Sequence, residues 1–375
     1  MTKIQRKLII VLCISIISIL EIDRGYSQNN LMFLPEYQQD SLAKFRLNIY
    51  NHNFFKNNEY FNDFVYSYTL LGASLKPVLV YDVFENLSIS GGLHYMKYAG
   101  SDTPNKLKPL YRIEYKPFEN FSLIMGALNG AWKHRLAEQI YRFERHLIDS
   151  DEEGVQLVYD DSRYFADLWV NWDVPAFPRD IKQEQLQIGA SSDIKLLMQK
   201  FYSFSLVAQV LWAHKGGQDL AVTYPMRSFG SWVAGFKYNQ AFLSKYPSGI
   251  SFESLFIDSY DLSPQKLLPY THGYGIHTEI GAHWNCFYLN LAYWHAQKYF
   301  SAMGDPIYQS VSNKWTSALS PEKNIFTHKL AFIKEVLPGL KLSVHYGGFY
   351  SFDIKTFDYF YGIHLILNHD VFLVK

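Results

Sequence analysis

The segment YGIHTEIGAHWNCFYLNLAYW, residues 274–294, has apolar side chains at every second position on both sides of Asn285 and Cys286. A period of two is typical of β-strands. A two-residue turn pairs Trp284 with Phe287 and keeps both apolar faces on the same side of the hairpin. In a soluble sandwich this face packs into a core, whereas in a membrane barrel it contacts lipid and the opposite face lines a lumen.

The N-terminus predicts export of the chain. Lys3, Arg6 and Lys7 precede an apolar run over residues 8–20, which is followed by small residues around Gly25. This order is typical of a secretory signal peptide, and the run is shorter than the roughly 20 apolar residues of a membrane-spanning helix. The alternative is a single membrane anchor.

The predicted organisation has three parts. Residues 1–27 are expected to form the signal peptide, residues 28–42 a periplasmic N-terminal segment, and residues 43–375 a transmembrane β-barrel. Cys286 is then the single cysteine of the mature chain, so an internal disulfide is excluded.

Composition favours one large all-β domain. Charged residues make up 19% of the 375 residues, below the roughly 25% of soluble proteins, while aromatic residues reach 17%. The 35 basic and 35 acidic residues give a formal net charge of +0. This balance argues against nucleic acid as a partner.

The alternation of short turns and long loops between the strands predicts a barrel. Short turns alternate with long polar segments, which is typical of outer-membrane barrels with short periplasmic turns and long external loops. Strands of about nine to twelve residues match a tilted membrane crossing. We predict an all-β, antiparallel, up-and-down transmembrane β-barrel of about 16 strands (14–18). The predicted strands start near residues 43, 64, 87, 106, 121, 154, 164, 183, 202, 229, 249, 274, 286, 325, 340 and 357.

This pattern resembles the Gram-negative outer-membrane β-barrels of general porin type over nearly the whole mature chain. The resemblance implies a location in the outer membrane and passive diffusion of small hydrophilic solutes. The alternative is a loop-plugged barrel that acts as a scaffold or docking partner in an outer-membrane protein assembly. Expected partners are outer-membrane lipids, small hydrophilic solutes, and further copies of the chain or other outer-membrane proteins.

If the apolar faces contact lipid, the opposite faces line the lumen. The charged and histidine side chains on those faces are candidate pore-lining residues: Arg46, Arg112, Glu114, Lys116, Asp167, Asp193, Lys237, His277, Glu279, Lys329, Lys341 and His345. Their mixed signs predict no strong ion preference.

The third long loop, residues 129–153, departs from the period of two. Its apolar residues recur at helical spacing between Trp132 and Leu147, which predicts an amphipathic helix. By position and length the segment is a candidate for a loop that folds into the pore. Its candidate constriction residues are Arg135, Glu138, Arg142 and Arg145. The alternative is a helix over the barrel mouth or against a partner.

Catalytic motifs are weak in this sequence. A His-x-Ser strand motif of the outer-membrane phospholipase type does not occur at HTE (residues 277–279), HYM (94–96), HYG (345–347) or HLI (364–366). Metal-ligand and phosphate-loop spacings do not occur either. We therefore expect no catalytic site, no metal and no cofactor, and a protein that is not an enzyme, with a lumenal or rim hydrolase as the third alternative.

Overall fold

The computed structural model describes residues 44–149, 151–217, 224–243, 247–315 and 317–374. The predicted signal peptide (1–27) and periplasmic segment (28–42) lie outside the described residues. No helix in the described ranges is long and apolar enough to span a membrane.

Sixteen strands make up the fold: β1 (Phe45–Glu59), β2 (Tyr68–Phe84), β3 (Leu87–Tyr98), β4 (Lys106–Tyr115), β5 (Phe121–Ala127), β6 (Glu153–Asp160), β7 (Tyr164–Val174), β8 (Gln185–Met198), β9 (Tyr202–Lys215), β10 (Arg227–Ala241), β11 (Gly249–Asp261), β12 (His272–Trp284), β13 (Phe287–Gln297), β14 (Glu322–Leu337), β15 (Leu340–Ser351) and β16 (Thr356–Val374). A four-residue helix, α1 (Arg145–Ile148), and a 3-10 turn (Pro306–Tyr308) lie in the loops.

The strands form one closed barrel in which each strand pairs antiparallel with its sequence neighbours and β1 pairs with β16. The predicted fold class and strand count are confirmed. Each predicted start lies within four residues of the observed one, the largest difference being at β2. The even count places both ends of the barrel chain on the side of the short turns.

The opening hairpin has the predicted register. Trp284 pairs with Phe287, and Ile280 pairs with Leu291. Ile280 is 57% exposed, whereas its neighbour Glu279 is buried inside the barrel. Apolar side chains therefore face outward and polar ones inward, the reverse of a soluble protein, as expected for a barrel wall in lipid.

Long connections on one side of the barrel fill its interior. We name three of them L1 (residues 60–67), L3 (128–152) and L7 (298–321). One buried apolar cluster joins side chains of all three loops to the inner wall, from Trp169 on β7 to Phe349 on β15. These strands lie on opposite sides of the barrel, so the packed loops extend across the lumen.

The predicted amphipathic helix between Trp132 and Leu147 is not observed. Among the described residues of L3, only α1, Arg145–Ile148, is helical, and the others form turns and irregular backbone. The helical spacing of apolar residues has another cause. Leu136, Ile140 and Leu147 are buried because L3 is surrounded by the barrel wall. Their apolar character therefore reflects this burial and not the apolar face of a helix.

Candidate active site in the barrel lumen

L3 crosses the lumen and is fixed to the wall at widely separated points. The carboxylate of Glu144 accepts hydrogen bonds from Lys56 and Asn58 on β1 and from Tyr68 on β2. Although burial opposes ionisation, these partners lower the pKa of Glu144 to about 2. Three strands along the wall from β1, Lys329 of β14 donates to Glu138 at 2.6 Å.

His134 anchors the first half of L3. Its Nδ1 lies 2.7 Å from Asp167 and its Nε2 lies 2.7 Å from Glu152, while its ring stacks on Trp169 at 3.7 Å. Although burial disfavours the charged ring, the two carboxylates raise the pKa of His134 to about 9. Because both ring nitrogens are engaged by carboxylates, this histidine serves as a cationic anchor rather than as a base.

A serine, a histidine and an aspartate form a second buried cluster. The hydroxyl of Ser74 lies 2.9 Å from Nε2 of His94, and Nδ1 of His94 lies 2.5 Å from Oδ2 of Asp151. Ser74 is 4% exposed and His94 is 2% exposed. This order of groups, hydroxyl to imidazole to carboxylate, is that of a nucleophile, a base and an orienting residue.

Three chain segments bring this cluster together. Ser74 on β2 and His94 on β3 face the lumen from the two arms of a hairpin, in which Ser74 pairs with Met96 and Leu75 with Tyr95. The ladder is interrupted at Lys76 and Pro77, where proline supplies no N–H donor. Asp151 is added by the end of L3, just before β6.

Lysines surround the carboxylate of the cluster. Lys76 forms an ion pair with Asp151, and Lys108 of β4 donates to the Asp151 carbonyl oxygen at 3.2 Å and contacts Glu153 at 3.1 Å. Lys106 lies on the same inner face of β4. Although burial opposes ionisation, Lys76 and His94 hold the pKa of Asp151 well below its usual range. The aspartate is therefore ionised and suited to orient His94.

Four histidines form a connected group that begins at His52, next to Ser74. His52, which pairs with Ser74 across β1 and β2, has its Nε2 2.8 Å from Nδ1 of His364. His364 stacks on His345 at 4.8 Å, and His52 stacks on His146 at 5.6 Å. Among the described residues, no group of three or more His, Cys, Asp or Glu side chains has the geometry to hold a metal ion.

The candidate pore-lining residues lie in separate groups. Arg46 contacts Asp82, Arg112 donates to Glu114 at 2.9 Å, and Lys237 lies between Asp193 and Glu253.

The other candidate pore-lining residues have different surroundings. Asp167 binds His134, and His345 stacks on His364. Lys341 lies on β15, paired with Ile366. Lys116 lies in the turn after β4, and Glu279 accepts from Asn290 at 2.7 Å. Lys237, His277 and Glu279 line a cavity of about 10 Å³ beneath L3.

The candidate constriction residues of L3 separate into three locations. Arg135 binds Asp160 at 2.7 Å and lies over the ring of Phe165, whereas Glu138 binds Lys329. Arg142 and Arg145 instead line a cavity of about 430 Å³ that also includes Arg227. Arg135 therefore lines a different cavity from Arg142 and Arg145.

Two solved structures share the barrel architecture. A loop-deletion mutant of OmpT, an outer membrane protein of Vibrio cholerae, superposes with a TM-score of 0.52 at 9% identity, covering 87% of this chain and 100% of that chain. In-vitro folded OmpT of the same organism, in a trimer form, gives a TM-score of 0.50 at 9% identity, covering 87% and 99%. At this identity they establish the fold alone. No curated protein matches the sequence.

A family model described as lipid A 3'-O-deacylase-type matches residues 37–375. That description names an enzyme, so the prediction that the protein is not an enzyme is wrong. The match covers almost all of the chain beyond the predicted signal peptide, including Ser74, His94 and Asp151. The chain belongs to the lipid A 3'-O-deacylase-type family.

Proposed function

We propose that this protein is an outer-membrane esterase that hydrolyses acyl esters of a phosphorylated outer-leaflet lipid of the lipid A class. The observation that carries the proposal is the contact of Ser74 with His94 and of His94 with Asp151, inside a barrel of this family. Ser74 is the nucleophile, His94 the general base and Asp151 the residue that orients the imidazole.

The reaction has two steps. The Ser74 hydroxyl attacks the ester carbonyl while Nε2 of His94 takes its proton, and the same proton then passes to the departing sugar alcohol. An acyl-serine remains. Water, deprotonated by His94, attacks the acyl-serine, and the free fatty acid leaves as Ser74 recovers its proton. Throughout, Asp151 favours the tautomer with a proton on Nδ1 and stabilises the imidazolium that forms.

Lysine placement supports a phosphorylated substrate. Lys76, Lys106 and Lys108 share the inner face around His94, which pairs directly with Lys108 between β3 and β4. Lysine ammonium groups bind phosphate as point charges. A phosphate beside the cluster would compete with Asp151 and Glu153 for these lysines.

The test is release of fatty acid from purified lipid A by the refolded protein. Ser74→Ala should abolish release, and Ser205→Ala, which removes another buried lumenal serine, should not. A fluorophosphonate probe should label the wild type and the Ser205→Ala variant but not Ser74→Ala. Unchanged release by Ser74→Ala would exclude this serine as the nucleophile.

The passive channel predicted from the sequence is the weaker proposal. A diffusion channel needs a continuous aqueous path, and L3 and L7 pack across the lumen. Single-protein conductance in a planar bilayer distinguishes the two functions. Large, steady conductance without fatty-acid release would favour the channel, and an association with other outer-membrane proteins without either activity would favour the scaffold.

A further inference from the structure

One seam of the barrel wall is incomplete. On one edge, β4 pairs with β3 over its full length, from Lys106 to Tyr115. On its other edge, within the described residues 106–127, β4 pairs with β5 only from Arg112 to Tyr115. Residues 106–111 therefore form a strand edge that has no ladder with β5.

The divergence of the two strands has a local cause. Gly126 has a φ of +97°, a conformation that favours glycine, and a Cβ at this position would lie 2.3 Å from the carbonyl oxygen of Tyr111. Arg112 then donates to the carbonyl of Ala127 and to Asn129, each at 3.0 Å. These contacts turn the chain out of the wall and into the lumen, where it continues as L3.

The open seam lies at the external end of β4. In hydrocarbon, backbone polar groups without partners are costly, and closed barrels normally avoid such an edge. The lipid side of this edge carries Leu107, 65% exposed, and Tyr111, 60% exposed, while the lumen side carries Lys106, Lys108 and Leu110. An apolar surface outside thus leads directly to a cationic surface inside.

The candidate active site lies directly behind this seam. His94 on β3 pairs with Lys108 on β4, and Ser74 lies one strand further on β2. Two inter-strand spacings separate the edge of β4 from β2, about 10 Å. A lipid with its acyl chains in the outer leaflet can therefore reach Ser74 without leaving the membrane plane. Entry through the external mouth would instead expose those chains to water.

We propose that the seam between residues 106–111 of β4 and residues 127–129 admits the ester-linked portion of a phosphorylated outer-leaflet lipid sideways from the membrane into the lumen. This inference rests on the proposed esterase function. The lysines of β4 receive the phosphate at the same point, so the seam selects a lipid that has both an anionic headgroup and acyl esters.

Site-specific photo-crosslinking in intact cells with radiolabelled lipid tests this route. The photoreactive residue p-benzoylphenylalanine replaces Leu110 at the seam, Leu255 on the inner wall of β11, or Ile280 on the lipid face. We expect a labelled lipid adduct at Leu110 and Ile280 but not at Leu255. No adduct at Leu110, or equal adducts at Leu110 and Leu255, would overturn lateral entry. The same replacement at Lys108 serves if the Leu110 variant does not assemble.

Repeating the measurement in the Ser74→Ala background separates entry from catalysis. Lateral entry requires the Leu110 adduct to persist in that background, because the lipid still enters when it is not cleaved. An adduct at Leu110 without fatty-acid release by the wild type would support lateral entry and contradict the esterase function. Fatty-acid release without an adduct at Leu110 would support the esterase function and contradict lateral entry.

Discussion

The hydroxyl of Ser74 lies 2.9 Å from Nε2 of His94 although the two residues belong to different strands of a hairpin. Their contact depends on the β2–β3 register and on burial beneath L3, which contributes Asp151. The wall and the loop are thus both parts of the site, so changes in either are expected to alter activity in different ways.

Replacing Asp151 should lower turnover without affecting the barrel. Asp151→Asn removes the charge that orients His94, and loss of this role in a serine hydrolase lowers kcat by about 10⁴-fold. Heat-modified mobility on a gel reports barrel assembly and should not change. Asp149→Asn, two residues earlier in L3, is the matched control. Equal activity of both variants would show that Asp151 has no part in the reaction.

Docking of L3 should depend on pH through His134. The pKa of His134 is about 9 in the folded protein, above its usual 6.5, because Glu152 and Asp167 outweigh the effect of burial. A raised pKa means that the stabilisation is complete below pH 6.5 and is lost as pH rises through about 9. The difference between the folded and the usual pKa of His134 corresponds to about 3 kcal/mol of stabilisation.

Limited proteolysis of L3 between pH 6 and pH 10 measures this effect. Cleavage in wild-type protein should increase above pH 9, whereas His134→Gln should be cleaved more readily at pH 6 and change less with pH. A wild-type cleavage rate that stays constant up to pH 10 would contradict the role of the imidazolium.

The two faces of β12 should tolerate substitution differently. Ile280→Arg places a charge on the lipid face at a cost of about 2–4 kcal/mol near the bilayer midplane. Its neighbour Glu279 points into the lumen and accepts a hydrogen bond from Asn290. Glu279→Gln retains a side-chain oxygen that can accept this hydrogen bond. We expect loss of membrane assembly for the first variant only. Similar assembly of both variants would contradict the assigned faces.

Much of the wall was predictable because a period of two repeats along every strand. The same rule applied to β2 and β3 places Ser74 and His94 on the inner face, and the short turn at residues 85–86 brings them together. The search for a serine two residues after a histidine on one strand missed this pair, since the partners lie on neighbouring strands. Asp151 was not predictable in this way, because its position depends on how L3 crosses the lumen.

The L3 prediction was partly wrong for a related reason. Apolar residues at helical spacing predict a helix when one face meets solvent. Inside the lumen L3 is enclosed on several sides, and Glu144, Glu138 and His134 each bind a different part of the wall. Contacts of these side chains with the wall therefore determine the course of the L3 backbone. Among the described residues of L3, only α1 is helical.

Deleting L3 should convert a closed esterase into an open pore. Replacing residues 130–147 with a short glycine-serine linker removes the segment that packs across the lumen, including Glu138 and Glu144. Sixteen strands enclose a lumen wide enough for an aqueous channel, and of the three loops that fill it only L1 and L7 remain once L3 is absent. We expect low conductance from the native protein in a planar bilayer and large, steady openings from the deletion variant.

The same deletion should abolish fatty-acid release, because Asp151 loses the loop that holds it against His94. Shortening the external loop at residues 262–271 is the control and should change neither property. If the deletion opens the pore but leaves hydrolysis intact, the site lies elsewhere than at Ser74, His94 and Asp151. If the native protein already conducts like the deletion variant, L3 does not close the lumen, and the passive channel becomes the better account of this barrel.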